Sequence, residues 1–132
     1  MKILPIFATA LLIAVSASAA LASGGYSGNW PVTVSRSQFT NGTYCVTLTD
    51  SGSHSGEATV VFQGSGELYG SFFLINHDLA MTFPVPAEGQ NYGLVFIAHA
   101  ANGKMGNGIL DYVQGGEPGD AGAVVVGQKN NC

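Results

Sequence analysis

From Trp30 onward apolar and polar positions alternate along the chain with a period of two, the pattern of half-buried β-strands. Trp30, Val32 and Val34 form the first apolar row. Pro31 lacks an N–H, so its position must be an edge, a bulge or a non-bonded site. In Thr43–Asp50, Tyr44, Val46 and Leu48 fall on one face and Cys45, Thr47 and Thr49 on the other. Glu57–Gln63 places Ala58, Val60 and Phe62 together. Glu67–Ile75 is different, because both faces are apolar: Leu68, Phe72 and Leu74 on one, Tyr69, Phe73 and Ile75 on the other. Leu79–Phe83 follows. Tyr92–Ala101 is again apolar on both faces, Ile109–Gln114 sets Leu110 and Tyr112 against Asp111 and Val113, and Ala121–Lys129 closes the series.

Between these eight segments lie turn residues. Asn41-Gly42, Ser51–Gly56, Gly64–Gly66, Asn76–Asp78, Pro84–Asn91, Asn102-Gly103 and Gly115–Asp120 interrupt the pattern in turn. No stretch from Trp30 on holds a helical period. Short strands at regular spacing with short connections predict an all-β domain: a small antiparallel eight-stranded barrel or sandwich, the meander being the simplest order. Gly70 and Gly108, inside strands, mark bends where a barrel turns a corner.

The first 22 residues do not belong to that pattern. Lys2 precedes the apolar run Ile3–Val15, and Ala20-Leu21-Ala22 offers an A-x-A cleavage pattern, as in a secretory signal peptide. The run is shorter than the roughly 20 residues that span a bilayer. Cleavage would leave residues 23–132 as a single β domain without a membrane span, secreted or periplasmic. An outer-membrane barrel fits poorly, since most of the segments fall short of the roughly 9–11 residues that such strands need.

The 132 residues carry four Lys and Arg against eight Asp and Glu. Without Lys2 the basic residues are Arg36, Lys104 and Lys129. No basic patch arises, which argues against nucleic acid. Two cysteines, Cys45 and Cys132, predict one disulfide in an oxidising compartment. In a strict meander the last strand runs parallel to the second, so Cys132 reaches Cys45 only if the tail Asn130–Cys132 folds back or the register is staggered; a sandwich would relieve this.

Candidate chemistry is sparse. Gly52-Ser53-His54-Ser55-Gly56 puts histidine where a nucleophile elbow requires serine, with no helix after it. His54, His77 and His99 have no metal-ligand spacing, and Asn76 and Asp78 are explained by turn chemistry. His99 shares a face with Val95 and Ile97 and reads as a core histidine before it reads as a ligand. Asp111 points to solvent, or else needs a buried partner such as His99 or Arg36. The tyrosines and the one tryptophan suit a cavity lining, and Trp30, Tyr44, Tyr69, Tyr112 and His99 form the candidate ligand-binding set. No catalytic residue, cofactor or metal is expected.

Gly28-Asn29-Trp30 is similar to the G-x-W opening of the avidin and lipocalin (calycin) barrels, as are the length after the leader and the eight strands. The resemblance implies a small-ligand cavity inside the barrel, with Trp30 closing one end. The residues point first to a non-enzymatic binding or interaction module. A ligand-binding barrel and a pilin-like structural subunit are the alternatives, the latter requiring an unpaired groove. Strands apolar on both faces need cover on both. A partner subunit or the loop Pro84–Asn91 would supply it. If Phe73, Ile75, Val95 and Ile97 lie bare, they form an interaction patch suited to a homo-oligomer.

Overall fold

A computed structural model of the chain describes residues 25–52, 54–62 and 66–132. The leader through Ala22 lies outside the described residues. Eight antiparallel strands follow one another around a closed barrel in sequence order: β1 (Gly28–Ser35), β2 (Gly42–Asp50), β3 (Ser55–Phe62), β4 (Gly66–Ile75), β5 (Asp78–Pro84), β6 (Gly93–Ala101), β7 (Lys104–Gln114) and β8 (Glu117–Val126). Among the described residues there is no helix, and hence none long and apolar enough to cross a membrane. Closure of β8 onto β1 decides for the barrel over the sandwich. It also leaves no missing-strand groove of the kind a pilin-like subunit needs.

The alternation sorts side chains as a barrel wall requires. Trp30, Val32 and Val34 of β1, Tyr44, Val46 and Leu48 of β2, and Ala58, Val60 and Phe62 of β3 all point inward and are buried. β4 contributes Leu68 and Phe72, β5 Leu79, Met81 and Phe83, β6 Leu94, Phe96, Ala98 and Ala100, and β7 and β8 complete the ring with Leu110, Tyr112, Val124 and Val126. Each large side chain removed from water in this way contributes about 1.5–3 kcal/mol.

The last two strands differ most from the sequence reading. β7 begins at Lys104 rather than Ile109, and β8 begins at Glu117 rather than Ala121 and ends at Val126. The cause is turn economy. Asn102 and Gly103 have φ of 54° and 74°, and Gly115 and Gly116 have 66° and 83°. Each pair makes a two-residue hairpin turn with left-handed backbone, so the glycine-rich flanks on either side are strand, not loop.

Gly70 works as expected of a corner. It lies between inward Leu68 and Phe72, and a methyl group there would collide with the carbonyl oxygen of Thr82 on β5. Gly108 faces Ala98, and its methyl would meet the Ile97 carbonyl. The strands cross closely at these points, which lets the sheet coil tightly enough to close.

The seam between β1 and β8 is the shortest, pairing only Val32–Ser35 with Ala123–Val126. The C-terminal tail extends it. The N–H of Gly127 donates to the Pro31 carbonyl, and that of Asn130 to the Asn29 carbonyl. The tail then turns through Gln128–Asn131, with Asn130 at φ 64°, and crosses β1 on the outside to reach Cys45. Cys45 and Cys132 are bonded, with Cα atoms 5.8 Å apart. The tail folds back and the seam is staggered, so a strict meander and the disulfide coexist.

Candidate functional site

The proposed ligand-binding residues are not gathered around one cavity. Trp30 is buried near the start of β1, where its indole N–H donates to the Tyr26 carbonyl at 2.9 Å and its ring stacks on Tyr26. Tyr44 and Tyr112 lie at the other end of the barrel, on either side of Phe62 at ring-centre distances of 5.8 and 6.0 Å. The Tyr44 hydroxyl is occupied, donating to the Thr40 carbonyl at 2.7 Å. Burial pushes the ionisation of both phenols up, for Tyr112 with help from the charge of Glu88 and from Tyr92. Tyr69 and His99 are outside. Tyr69 is 68% exposed and donates to Glu67, and that hydrogen bond, with the carboxylate's charge, raises its pKa. His99 stands exposed on the outer face of β6, its ring 6.2 Å from that of His77. The core-histidine reading is therefore corrected: the apolar face it shares with Val95 and Ile97 is the outer one.

The barrel axis is filled. Trp30, Phe72, Phe83, Phe96, Leu48, Leu79, Met81, Leu94 and Leu110 are all less than 2% exposed or at that value and project into the lumen. The loop after β5 does not cover the outer face of β4–β6. It turns in at the barrel end, where the N–H of Val85 donates to the Tyr92 carbonyl and the Val85 side chain is fully buried. The depressions described here lie at the ends and on the wall. One of about 510 Å³ at the hairpin end is lined by Tyr26, His54, Asn76, His77 and Asn102 among others. Among the described residues no three His, Cys, Asp or Glu side chains are placed to hold a metal ion.

At the opposite end a polar knot orders the β1–β2 connection. Asp120 of β8 accepts hydrogen bonds from the Ser37 hydroxyl and from the N–H groups of Gln38 (2.7 Å) and Phe39 (2.9 Å). Ser37 and Thr40 are both buried and bond each other. Partial burial works against ionisation of Asp120, but the three donors outweigh it and hold its pKa below the ordinary value. Sequence reading missed this residue because Asp120 sits in a stretch that reads as loop.

The outer surface is divided. On β1–β3 it carries Thr33, Thr43, Thr47, Thr49 and Thr59. On β4–β8 it holds an apolar row between more polar ones. Register aligns Phe73, Ala80, Ile97, Ile109 and Ala123 in one row across five strands. Ile75 and Val125 flank the row, 56% and 55% exposed; Ile109 is 57% exposed, Phe73 and Ile97 each 38%. Together these five side chains leave roughly 450 Å² of apolar surface in water, within the range of the largest patches on monomeric proteins. The next row reads Ser71, Thr82, Val95, Asp111, Ala121. Asp111 points outward as read from the sequence, but one carboxylate oxygen is sheltered from water with no partner among the described residues. The class defined is a closed, filled antiparallel barrel with a one-sided apolar exterior. No family model matches the chain, and no match is found among curated proteins or solved structures.

Proposed function

We propose that this domain is a non-enzymatic interaction module of an oxidising, extracytoplasmic compartment, and that its outer β4–β8 face binds a second copy of the same chain. The observation that carries the reading is the in-register apolar row Phe73–Ala80–Ile97–Ile109–Ala123 left in water by a barrel whose core is already complete. A closed barrel offers no free edge for strand addition, so association must be face to face.

The face is self-complementary about a two-fold axis running along β6. That axis sets Val95 and Ile97 against their own copies. It sets Ile109 against Ala80, large against small, since these two flank Ile97 on either side. It also sets Asp111 against Thr82, which flank Val95, so a hydroxyl donor stands opposite a carboxylate. The same axis brings Asp78 near Asn107. A standard interface removes about 800 Å² from each partner, of which the apolar patch supplies roughly half and the polar margin the rest.

Ile97→Lys places a charge on the axis facing its own copy. Wild-type protein at tens of micromolar should sediment as a dimer, and the variant as a folded monomer with an unchanged melting temperature measured at low concentration. A wild type that stays monomeric at that concentration would contradict the proposal.

A further inference from the structure

We propose a second binding site, in the barrel wall between β7 and the C-terminal tail, for an amphipathic anion: an apolar chain or ring bearing a carboxylate or similar head group. The site exists because β8 stops early at this end of the barrel. It ends at Val126, whereas β7 continues to Lys104 on one side and β1 to Gly28 on the other. Pairing of β7 with β8 starts at Asn107, so Lys104–Gly106 have no ladder partner on β8. The tail fills only the β1 side of this gap, through Gly127 and Asn130.

What remains is a depression of about 540 Å³ lined by Trp30, Lys104, Met105, Val126 and Lys129 with the intervening tail. This is within the 300–1,000 Å³ typical of small-molecule sites. Its floor is core. Trp30, Met105 and Val126 are inward-facing residues at 2%, 8% and 8% exposure, reached here through the wall and not along the axis. Its rim is cationic. The chain is acidic, with a net charge of −4, yet two of the three basic side chains among the described residues, Lys104 and Lys129, stand at this cleft. The Lys129 ammonium donates to the Gly25 carbonyl at 3.3 Å, a neutral acceptor, and makes no ion pair among the described residues. An apolar floor beneath two cations, on a surface otherwise negative, selects a ligand with an apolar body and a negative head. Purely apolar molecules gain nothing from the rim, and the floor offers a hydrophilic anion little.

The chain's single tryptophan forms part of the floor, so its emission reports occupancy directly. The disulfide-bonded protein is titrated with dodecanoate, and in parallel with dodecanol, while Trp30 fluorescence is followed. Dodecanoate should shift the emission saturably, and dodecanol should bind at least severalfold more weakly. The K104Q/K129Q double variant should weaken dodecanoate about fivefold, the size expected from two exposed charge contacts. Because Lys129 also touches the N-terminal segment, K104Q alone serves as the second variant and should lose about twofold with an unchanged melting curve. A Trp30 signal that does not respond, equal affinity for the alcohol, or variants that bind dodecanoate as tightly as wild type would each overturn the site. Loss of dimerisation would leave this result untouched, since the cleft is formed within one chain.

Discussion

Removing the Cys45–Cys132 bond tests how far the tail's anchor stabilises the barrel. The cysteines are 87 positions apart, so the bond closes most of the domain into one loop. In the chain-entropy account a loop of that size restricts the unfolded chain by about 4.5 kcal/mol. Both cysteines lie on the outer surface, so replacing them leaves no buried cavity to add to that figure. The tail's backbone hydrogen bonds to Pro31 and Asn29 can persist without the bond, but their anchor is gone. The double variant C45S/C132S, compared with wild type in urea at neutral pH with Trp30 emission as the probe, should therefore lose about 4–5 kcal/mol. Its unfolding slope should rise, because the uncrosslinked denatured chain exposes more surface. Amide exchange should quicken first in Asn29–Val32 and Val126–Asn130, where the seam depends on the tail. A loss below about 1 kcal/mol would refute the reasoning, since it would mean that the bond does not constrain the unfolded chain as a loop of that length should.

Three further outcomes follow from particular contacts. Gly70→Ala drives a methyl into the Thr82 carbonyl, a backbone atom that cannot step aside, and should cost more than about 3 kcal/mol or abolish folding. Gly106→Ala, with open space around the new carbon, should change denaturant stability by less than about 1 kcal/mol and so controls for composition. Asp120→Asn should cost about 1–2 kcal/mol at pH 7, read from urea melts, by weakening charge-assisted bonds to Ser37, Gln38 and Phe39. Because the folded pKa of Asp120 is depressed, its contribution is complete above the unfolded value near about 4 and is lost as pH falls through the folded one. The gap between wild type and variant should therefore shrink below about pH 4, and a gap that widens there would contradict the assignment.

The strands were legible where one face was polar. Tyr44, Val46 and Leu48 against Cys45, Thr47 and Thr49 needed only the alternation. β4 and β6 were different, because an apolar residue stands on both faces and nothing local marks the inside. Tyr69 entered the ligand set as an aromatic with a polar tip and His99 as a residue of an apolar strand, with nothing local to show that they face out. Their parity placed them with Phe73, Ile75, Val95 and Ile97, and only closure of the sheet shows that face to be the outer one. Barrel against sandwich was undecidable from spacing, since the choice rests on whether β8 registers against β1, a contact some ninety residues apart along the chain. Lys104–Asn107 and Glu117–Asp120 were left outside the strands because glycine, asparagine and proline are poor strand formers. Two tight turns and a register shift beside Val113 carry them as strand. The disulfide followed from cysteine count and compartment; the outward crossing of the tail that makes it possible did not. The wall cleft was invisible for the same reason, as it depends on where β8 stops.

The most direct test of self-association uses the two-fold axis itself. Ile97 faces its own copy, so Ile97→Cys under mild oxidation should give a covalent dimer on non-reducing electrophoresis, with the native Cys45–Cys132 bond retained. Ala80→Cys alone and Ile109→Cys alone should not, whereas the double variant A80C/I109C should, because the axis pairs these two positions across the interface. No Ile97→Cys dimer at concentrations where wild type is proposed to associate would contradict the account.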